Sequence, residues 1–376
     1  VNEQGVVFEK LRGKTYLEGT DVLTKGKERV RQILRQYDGF VVMFSGGKDS
    51  WALLLLVEAV FKEDGRKDKI TVVFRDEEVI NQSIVDFVMW VKATDRFNLI
   101  WFAYPMNVGF HLMGTYNTFV AWNPNRKWHR QPPDFAIRSL GVDTSTMDEW
   151  KVSEYERGFY NIMGNGCVML GIRAAESLKR FMAMTSKIKD NWIGGSTPGL
   201  STASPLYDWE EQDIFKWFYD CQETYCSVYD AQMWAGLSLR VSSSLHSQSF
   251  DKLENLKNTE PAYWAQLVSV LPQLEAQVRY AKEVDLLAVL RTYPHTFEGL
   301  RQYVADHLNE EFTPLALQYI GACESLRKRN EKTHPLGSVP LRGVFMAIAN
   351  GSYWGGVTSP KTPTFQDYEF ENLPPV

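Results

Sequence analysis

The chain has 376 residues, 44% hydrophobic and 23% charged, enough to bury a full core and to form more than one domain. A formal net charge of −5 excludes a surface coated in positive charge, so any contact with nucleic acid must use a local patch or a basic partner. Four cysteines (Cys167, Cys221, Cys226, Cys323) form no C-x-x-C pair and six histidines have no ligand spacing, which excludes a disulfide framework, zinc and an iron–sulfur cluster from the expected features and points to reduced thiols in a cytoplasmic protein.

Val1-Asn2-Glu3-Gln4 carries an acid and no apolar run, so no signal peptide is expected at this end. Residues 1–38 read as a polar entry and a helix, with Glu28, Arg29, Arg31, Gln32 and Arg35 around a stripe of Val30, Ile33 and Leu34. Gly39 to Phe44 is a short apolar run ending in Ser-Gly-Gly, the pattern of a buried parallel strand and a tight loop. Ser50 to Lys62 is apolar nearly all round, as a helix packed between layers is. Its longest apolar run, Trp51 to Val57, falls far short of the roughly 18 residues that cross a bilayer, so no membrane association is expected. A second strand at Lys69–Phe74, an amphipathic helix at Asn81–Thr94 and a third strand at Asn98–Ala103 continue the alternation that means βαβ units. From Tyr104 to about Thr146 the pattern breaks into an insertion rich in Asn, Pro, Trp and His, which is expected to be irregular and functional. A fourth strand at Cys167–Gly171, a helix from Ala174 to Lys187, a fifth short strand at Thr202–Leu206 and a helix at Glu210–Tyr219 complete a domain spanning 39–224. Helical patterns at 259–284, 297–308, 314–329 and 340–349 predict a helical C-terminal domain over 225–350, and 351–376 reads as a loose tail.

Chemistry concentrates at Ser45-Gly46-Gly47-Lys48-Asp49-Ser50. Two glycines let the backbone approach a ligand, and the following helix offers free N–H groups and the positive end of its dipole to an anion. Lys48 adds a full positive charge, while Asp49 and Ser50 either cap the helix or, for Asp49, help hold magnesium on the phosphates. This is not the G-x-x-x-x-G-K-[ST] loop of kinases and GTPases, because Val42 stands where its first glycine belongs and Asp49 follows the lysine.

The six residues resemble the pyrophosphate loop of the adenine-nucleotide α-hydrolase superfamily, which includes ATP pyrophosphatases and phosphoadenosine-phosphosulfate reductases. That resemblance implies an α/β fold with a five-stranded parallel sheet in order 3-2-1-4-5, helices on both faces, and a loop that grips the phosphates of ATP or the matching part of a sulfonucleotide. Gly171-Ile172-Arg173-Ala174-Ala175-Glu176-Ser177 resembles the G-[IV]-R-x-x-E-S block beside the nucleotide phosphates, with Arg173 at the carboxyl end of a strand where it either grips oxyanions or pairs with Glu176. Ser204-Pro205-Leu206-Tyr207-Asp208-Trp209, followed by Asp213-Ile214, is similar to a further block of the same family, with a structural role for Trp209, Asp213 and Ile214. Phe74 and Asp76 end the second strand, near where such proteins hold adenine and ribose, and Asp76 is a candidate for a ribose hydroxyl or for magnesium as well as for a solvated acidic loop. Trp128 and Arg130, in Trp128-His129-Arg130-Gln131-Pro132-Pro133, suit a planar or phosphorylated substrate, with Glu176 beside it. Such segments resemble those of a stand-alone phosphosulfate-reductase-like subgroup often encoded beside a ParB-like protein, which implies a ParB-like partner. The C-terminal E-C-G-L-H segment of true reductases is missing, and Cys323 lies instead in Gly321-Ala322-Cys323-Glu324-Ser325. The resemblance therefore implies an ATP- and magnesium-dependent adenylating enzyme, with Lys48, Asp49 and Arg173 as catalytic residues and a nucleic-acid base, nucleotide or metabolite as acceptor. A sulfonucleotide transferase or reductase and a non-catalytic nucleotide sensor are the alternatives.

Overall fold

A computed structural model describes residues 21–112, 115–147, 149–162, 164–176, 180, 184, 192–197, 199–241, 245, 253–280, 292–308, 310, 312–330, 339–349 and 365–372. These fall into two compact units, one within Val1–Asn107, Val120–Ser243 and Asn255–Tyr263, the other within Val108–Phe119, Ser244–Glu254 and Trp264–Val376. No helix among the described residues is long and apolar enough to cross a membrane.

The first unit is an α/β domain. Helix α1 (Val22–Gln36) starts where Asp21 accepts hydrogen bonds from the Thr24 amide (2.9 Å) and hydroxyl (2.8 Å). Arg29 on its buried face grips Asp208 through two 2.6 Å bonds and donates to the Pro205 carbonyl at 3.0 Å. That bidentate pair ties α1 to the segment after the last parallel strand. Strand β1 (Gly39–Met43) feeds helix α2 (Lys48–Glu63), whose Leu53, Leu54, Leu56 and Val57 are fully buried. Strand β2 (Thr71–Arg75), helix α3 (Gln82–Ala93) and strand β3 (Asn98–Phe102) follow within one or two residues of their expected places.

The sheet has six strands in the order β3-β2-β1-β6-β8-β7, where β6 is Gly166–Met169, β7 is Ile193–Thr197 and β8 is Leu200–Ala203. The first five members of that order are parallel and realise the expected 3-2-1-4-5 arrangement. The sixth corrects the expected five: β7 pairs antiparallel with β8 across a turn at Gly199 (φ +73°). Gly194 and Gly195 give this edge strand no apolar alternation to read. The fifth expected strand also shifts, from 202–206 to Leu200–Ala203. One face of the sheet buries Val41, Val73, Phe102 and Val168 with Tyr160 and with Val152 of helix α4 (Glu149–Glu156).

The segment 104–146, expected to be irregular, contains a two-stranded sheet of β4 (Met106–Leu112) and β5 (Thr115–Ala121). Farther along, Ile137 bonds with Trp101 (2.8 Å) and Ala103 (2.9 Å), closing the open edge of β3. Of the helix expected at Ala174–Lys187, Ala174–Glu176 form a single 3₁₀ turn, and most of the remainder lies outside the described residues. Helix α5 (Glu211–Cys221) opens with a capping box in which Asp213 accepts from the Glu210 amide at 2.7 Å, and buried Trp209 and Ile214 pack beside it. Helix α6 (Val228–Trp234) follows, and helix α7 (Leu253–Thr259) lies farther along the chain.

Apart from its residues of β4 and β5, the second unit is helical. Helices α8 (Pro261–Val270), whose residues 261–263 belong to the first unit, α9 (Gln273–Tyr280), α10 (Phe297–His307), α11 (Thr313–Asn330), α12 (Leu341–Ala349) and α13 (Phe365–Asn372) match the expected helical patterns, except that α13 falls in the stretch expected to be a loose tail. Its Phe370 is buried with Leu300, Val304, Ile320, Phe345 and Ile348. Residues 351–364 and 373–376 of that tail lie outside the described residues.

Candidate functional site

The Ser45–Ser50 loop joins the carboxyl end of the central strand β1 to the first turn of α2. Gly46 takes φ +74°, and a Cβ there would sit 2.8 Å from Ile84 Cγ2 and 2.9 Å from Val88 Cγ2, so only glycine fits. Hydroxyls brace the bend: Ser50 Oγ donates to the Gly47 carbonyl (2.9 Å) and accepts from the Ser45 amide (3.1 Å). Gly171 lies against the same bend, where a Cβ would meet Asp49 and Ser50 backbone atoms at 2.7 Å. This close approach brings the Arg173 segment to the loop.

Arg173 is buried, and its Nε donates to Asp49 Oδ1 at 2.5 Å. Glu176 accepts from the Arg173 amide at 3.1 Å and pairs with Arg180. Lys48, also buried, directs its ammonium to the Leu239 carbonyl (2.6 Å), Asp49 Oδ2 (3.3 Å) and Glu211 Oε2 (3.4 Å). The Lys48 amide donates to the hydroxyl of Tyr229 on α6 at 2.8 Å. Burial pushes that hydroxyl above its ordinary pKa, so it sits on the cradle as a neutral group. Lys48 Nζ also lies 5.3 Å from the Tyr229 ring. The loop, Gly171, Arg173 and Glu176 thus form one cluster in which the cations are held by the protein's own acceptors. Tyr229, Leu239 and Glu211 were not visible as site residues in the sequence.

The other expected residues assemble elsewhere. Phe74 packs edge-on against Trp101 at 4.5 Å, a core contact. Asp76 is fully buried and accepts from Arg130 through Nη1 (2.9 Å) and Nη2 (2.5 Å), and from Trp101 Nε1 (3.1 Å). Arg130 lies over Trp122 at 4.9 Å, while Trp128 is half-buried, donates to the Asn123 carbonyl at 2.8 Å and stands edge-on to Trp122. Arg130 and Asp76, expected to face substrate and nucleotide, pair with each other, while the buried Arg130 Nε has no hydrogen-bond partner among the described residues. Neighbouring Glu78 is buried and takes φ +66°, with the Trp122 amide at 2.7 Å and Arg126 at 2.5 Å. Burial raises its pKa, but these donors and nearby His129 outweigh that and hold it below the usual carboxylate range. His129, also not singled out in the sequence, lies with both ring nitrogens buried and without a hydrogen-bond partner among the described residues and its Nδ1 3.8 Å from Glu78.

In the ligand-free arrangement Asp49 and Asp76, the expected magnesium ligands, are both occupied by side-chain cations. Arg173 and Lys48 hold the first, and Arg130 chelates the second through both oxygens. Among the described residues no group of three His, Cys, Asp or Glu side chains is placed to hold a metal ion.

A profile of the phosphoadenosine phosphosulfate reductase domain matches residues 39–235, the stretch that carries the loop, Arg173 and Tyr229. The chain belongs to this family. The curated "Uncharacterized protein YbdN" of Escherichia coli (strain K12) is 29% identical over 233 residues, covering 58% of this phosphosulfate-reductase-family chain. The chain spans 57% of that relative's length. Similar solved structures include phosphoadenylyl-sulfate reductase from Candida auris in a phosphate complex (12% identity, 65% of this chain and 96% of that one, TM-score 0.35). Another is the FMN adenylyltransferase of Candida glabrata with FAD and inorganic pyrophosphate (13% identity, 58% of this chain and 66% of that one, TM-score 0.36).

The four thiols of this family member are all free. Burial pushes Cys167 up to about 12 and Cys221 and Cys226 up to about 11, and it raises Cys323 as well. At neutral pH they are thiols rather than the nucleophilic thiolate that attack on sulfur requires.

Proposed function

We propose that the chain is a cytoplasmic adenylating enzyme. It binds the phosphate tail of ATP in the Ser45–Ser50 loop and transfers the adenylyl group to an acceptor oxygen, with release of pyrophosphate. The observation that carries this reading is the braced, glycine-dependent bend between β1 and the first turn of α2, at the carboxyl edge of the sheet, with buried Lys48 on it and Arg173 brought beside it by Gly171. In the reaction the acceptor oxygen forms a bond to the α-phosphorus as the bond to the β-phosphate oxygen breaks, and the electron pair leaves with pyrophosphate. Loop amides and Lys48 neutralise charge on that leaving group, and Arg173, released from Asp49, steadies the α-phosphate. Asp49, freed from Arg173, is then the candidate to take the acceptor's proton. Nucleotide entry requires Tyr229 to give up the Lys48 amide and Leu239 to give up the ammonium. We favour a nucleic-acid base or nucleotide as acceptor. The test is pyrophosphate release from ATP with candidate acceptors: Lys48→Ala should lose at least about 100-fold in rate, comparable to removing one oxyanion-stabilising donor. Unchanged release in Lys48→Ala refutes the mechanism.

The family match favours a second reading, a sulfonucleotide in place of ATP in the same cradle. Calorimetry with ATP, phosphoadenosine phosphosulfate and adenylyl sulfate separates the two. A preference of about tenfold for a sulfonucleotide, about 1.4 kcal/mol, replaces the first reading with the second.

A further inference from the structure

Apart from the phosphate loop, the α/β unit holds a cavity of about 590 Å³ between α3, the turn at 224–227 and residues 260–263. That volume suits a small molecule. Its aromatic wall is the Phe87–Trp90 pair, stacked at 5.5 Å and 19°, joined by Tyr225 and Tyr263. Trp51 backs the stack edge-on, 5.5 Å from Phe87 and 6.2 Å from Trp90. Trp90 is 40% exposed, large for a tryptophan that its neighbours could have covered.

The polar lining is acidic. Asp86 and Glu260 face the cavity, and no lysine or arginine is among its lining residues. A helix N-terminus lies here too, but it is already taken: Glu260 accepts from the Gln82 amide (2.8 Å), from Asn81 Nδ2 (3.1 Å) and from the Ser83 hydroxyl. The donors that would hold a phosphate are therefore spent on a protein carboxylate, and a second anion would meet net negative charge. Aromatic faces beside carboxylates attract the opposite class of ligand, because ring quadrupole and carboxylate both favour positive charge that is poorly hydrated.

We propose that this cavity binds a small organic cation with an apolar frame, of the quaternary-ammonium or N-alkylated heteroaromatic class, against Trp90 and the Asp86 and Glu260 carboxylates. The site is independent of the phosphate loop, so it stands or falls apart from the adenylation reading.

Calorimetric titration of the full chain with 1-methylnicotinamide and its neutral counterpart nicotinamide tests the charge requirement, with choline as a second cation. Both cations should bind, and 1-methylnicotinamide at least about tenfold tighter than nicotinamide, the equivalent of about 1.4 kcal/mol. Asp86→Asn, at an exposed position, should weaken cation binding several-fold with an unchanged melting temperature, and Trp90→Leu should weaken it several-fold while lowering the melting temperature only by the loss of its stack on Phe87. Equal affinity for the two nicotinamides overturns the proposal, as does displacement of the cation by inorganic pyrophosphate. The absence of saturable binding by either cation at about 10 mM, tenfold above a weak millimolar Kd, overturns it too.

Discussion

Removing the Tyr229 hydroxyl should tighten nucleotide binding, although it removes a hydrogen bond. In the ligand-free protein the hydroxyl accepts from the buried Lys48 amide at 2.8 Å, and it stands where the proposed phosphate oxygen must go. Tyr229→Phe leaves that amide unpaired before binding, which costs about 1–3 kcal/mol for a buried donor. Once a phosphate is bound, the amide is satisfied in wild type and variant alike. The free-energy difference therefore falls on the empty form and reappears as affinity, roughly 5- to 150-fold tighter binding of ATP or pyrophosphate. Two assays read the two halves of this argument. The melting temperature of the empty variant should fall by about 2–4 °C for each kcal/mol lost, and calorimetry should show the smaller Kd. A lowered melting temperature with an unchanged or larger Kd would show that the ligand does not take the Lys48 amide, and the competition argument would fail.

Three other outcomes follow from the same geometry. Arg130→Ala strands the fully buried Asp76 carboxylate and should destabilise the fold by about 3–5 kcal/mol, read by denaturant titration; a stable Arg130→Ala variant with weakened ligand binding would return Arg130 to a substrate role. Gly171→Ala drives a methyl to 2.7 Å from the Asp49 backbone, so it should cost about 1–3 kcal/mol and impair nucleotide binding beyond its effect on stability; wild-type affinity in this variant contradicts the close-approach argument. Glu78 titrates lower in the fold than in the unfolded chain, so its stabilisation is complete above its ordinary pKa of about 4.3 and is lost as pH falls through the lower folded value. Acid denaturation of Arg126→Ala, which lacks one of the donors depressing that pKa, should accordingly show a weaker pH dependence below about pH 4.3, and a profile identical to wild type contradicts the assignment.

The glycine bend at Ser45–Ser50 and the strands β1 to β3 were legible because their signals are local: apolar runs of strand length, and two glycines between a strand and a helix. Strand β7 was not, since Gly194 and Gly195 remove the alternation and its place at the sheet edge depends on a turn at Gly199. Tyr229 was invisible for a different reason: it lies 181 residues from Lys48 on a short helix whose sequence carries no mark of the contact. Asp76 and Arg130 show the converse error. Each sits at a position where a ligand group belongs, and each is charged, but they are 54 residues apart and charge type alone does not reveal that they neutralise one another. Residue chemistry names what a group is able to bind, while the fold decides which partner reaches it first.

Amide chemical shifts of isotope-labelled protein titrated with inorganic pyrophosphate and with ATP probe the phosphate cradle most directly. Gly46, Gly47, Lys48 and Ser50 should shift together and saturate, and the Tyr229 resonances should move as its hydroxyl leaves the Lys48 amide. Saturable shifts confined to other parts of the chain, with these amides unmoved, would contradict the assignment of the loop as the phosphate site.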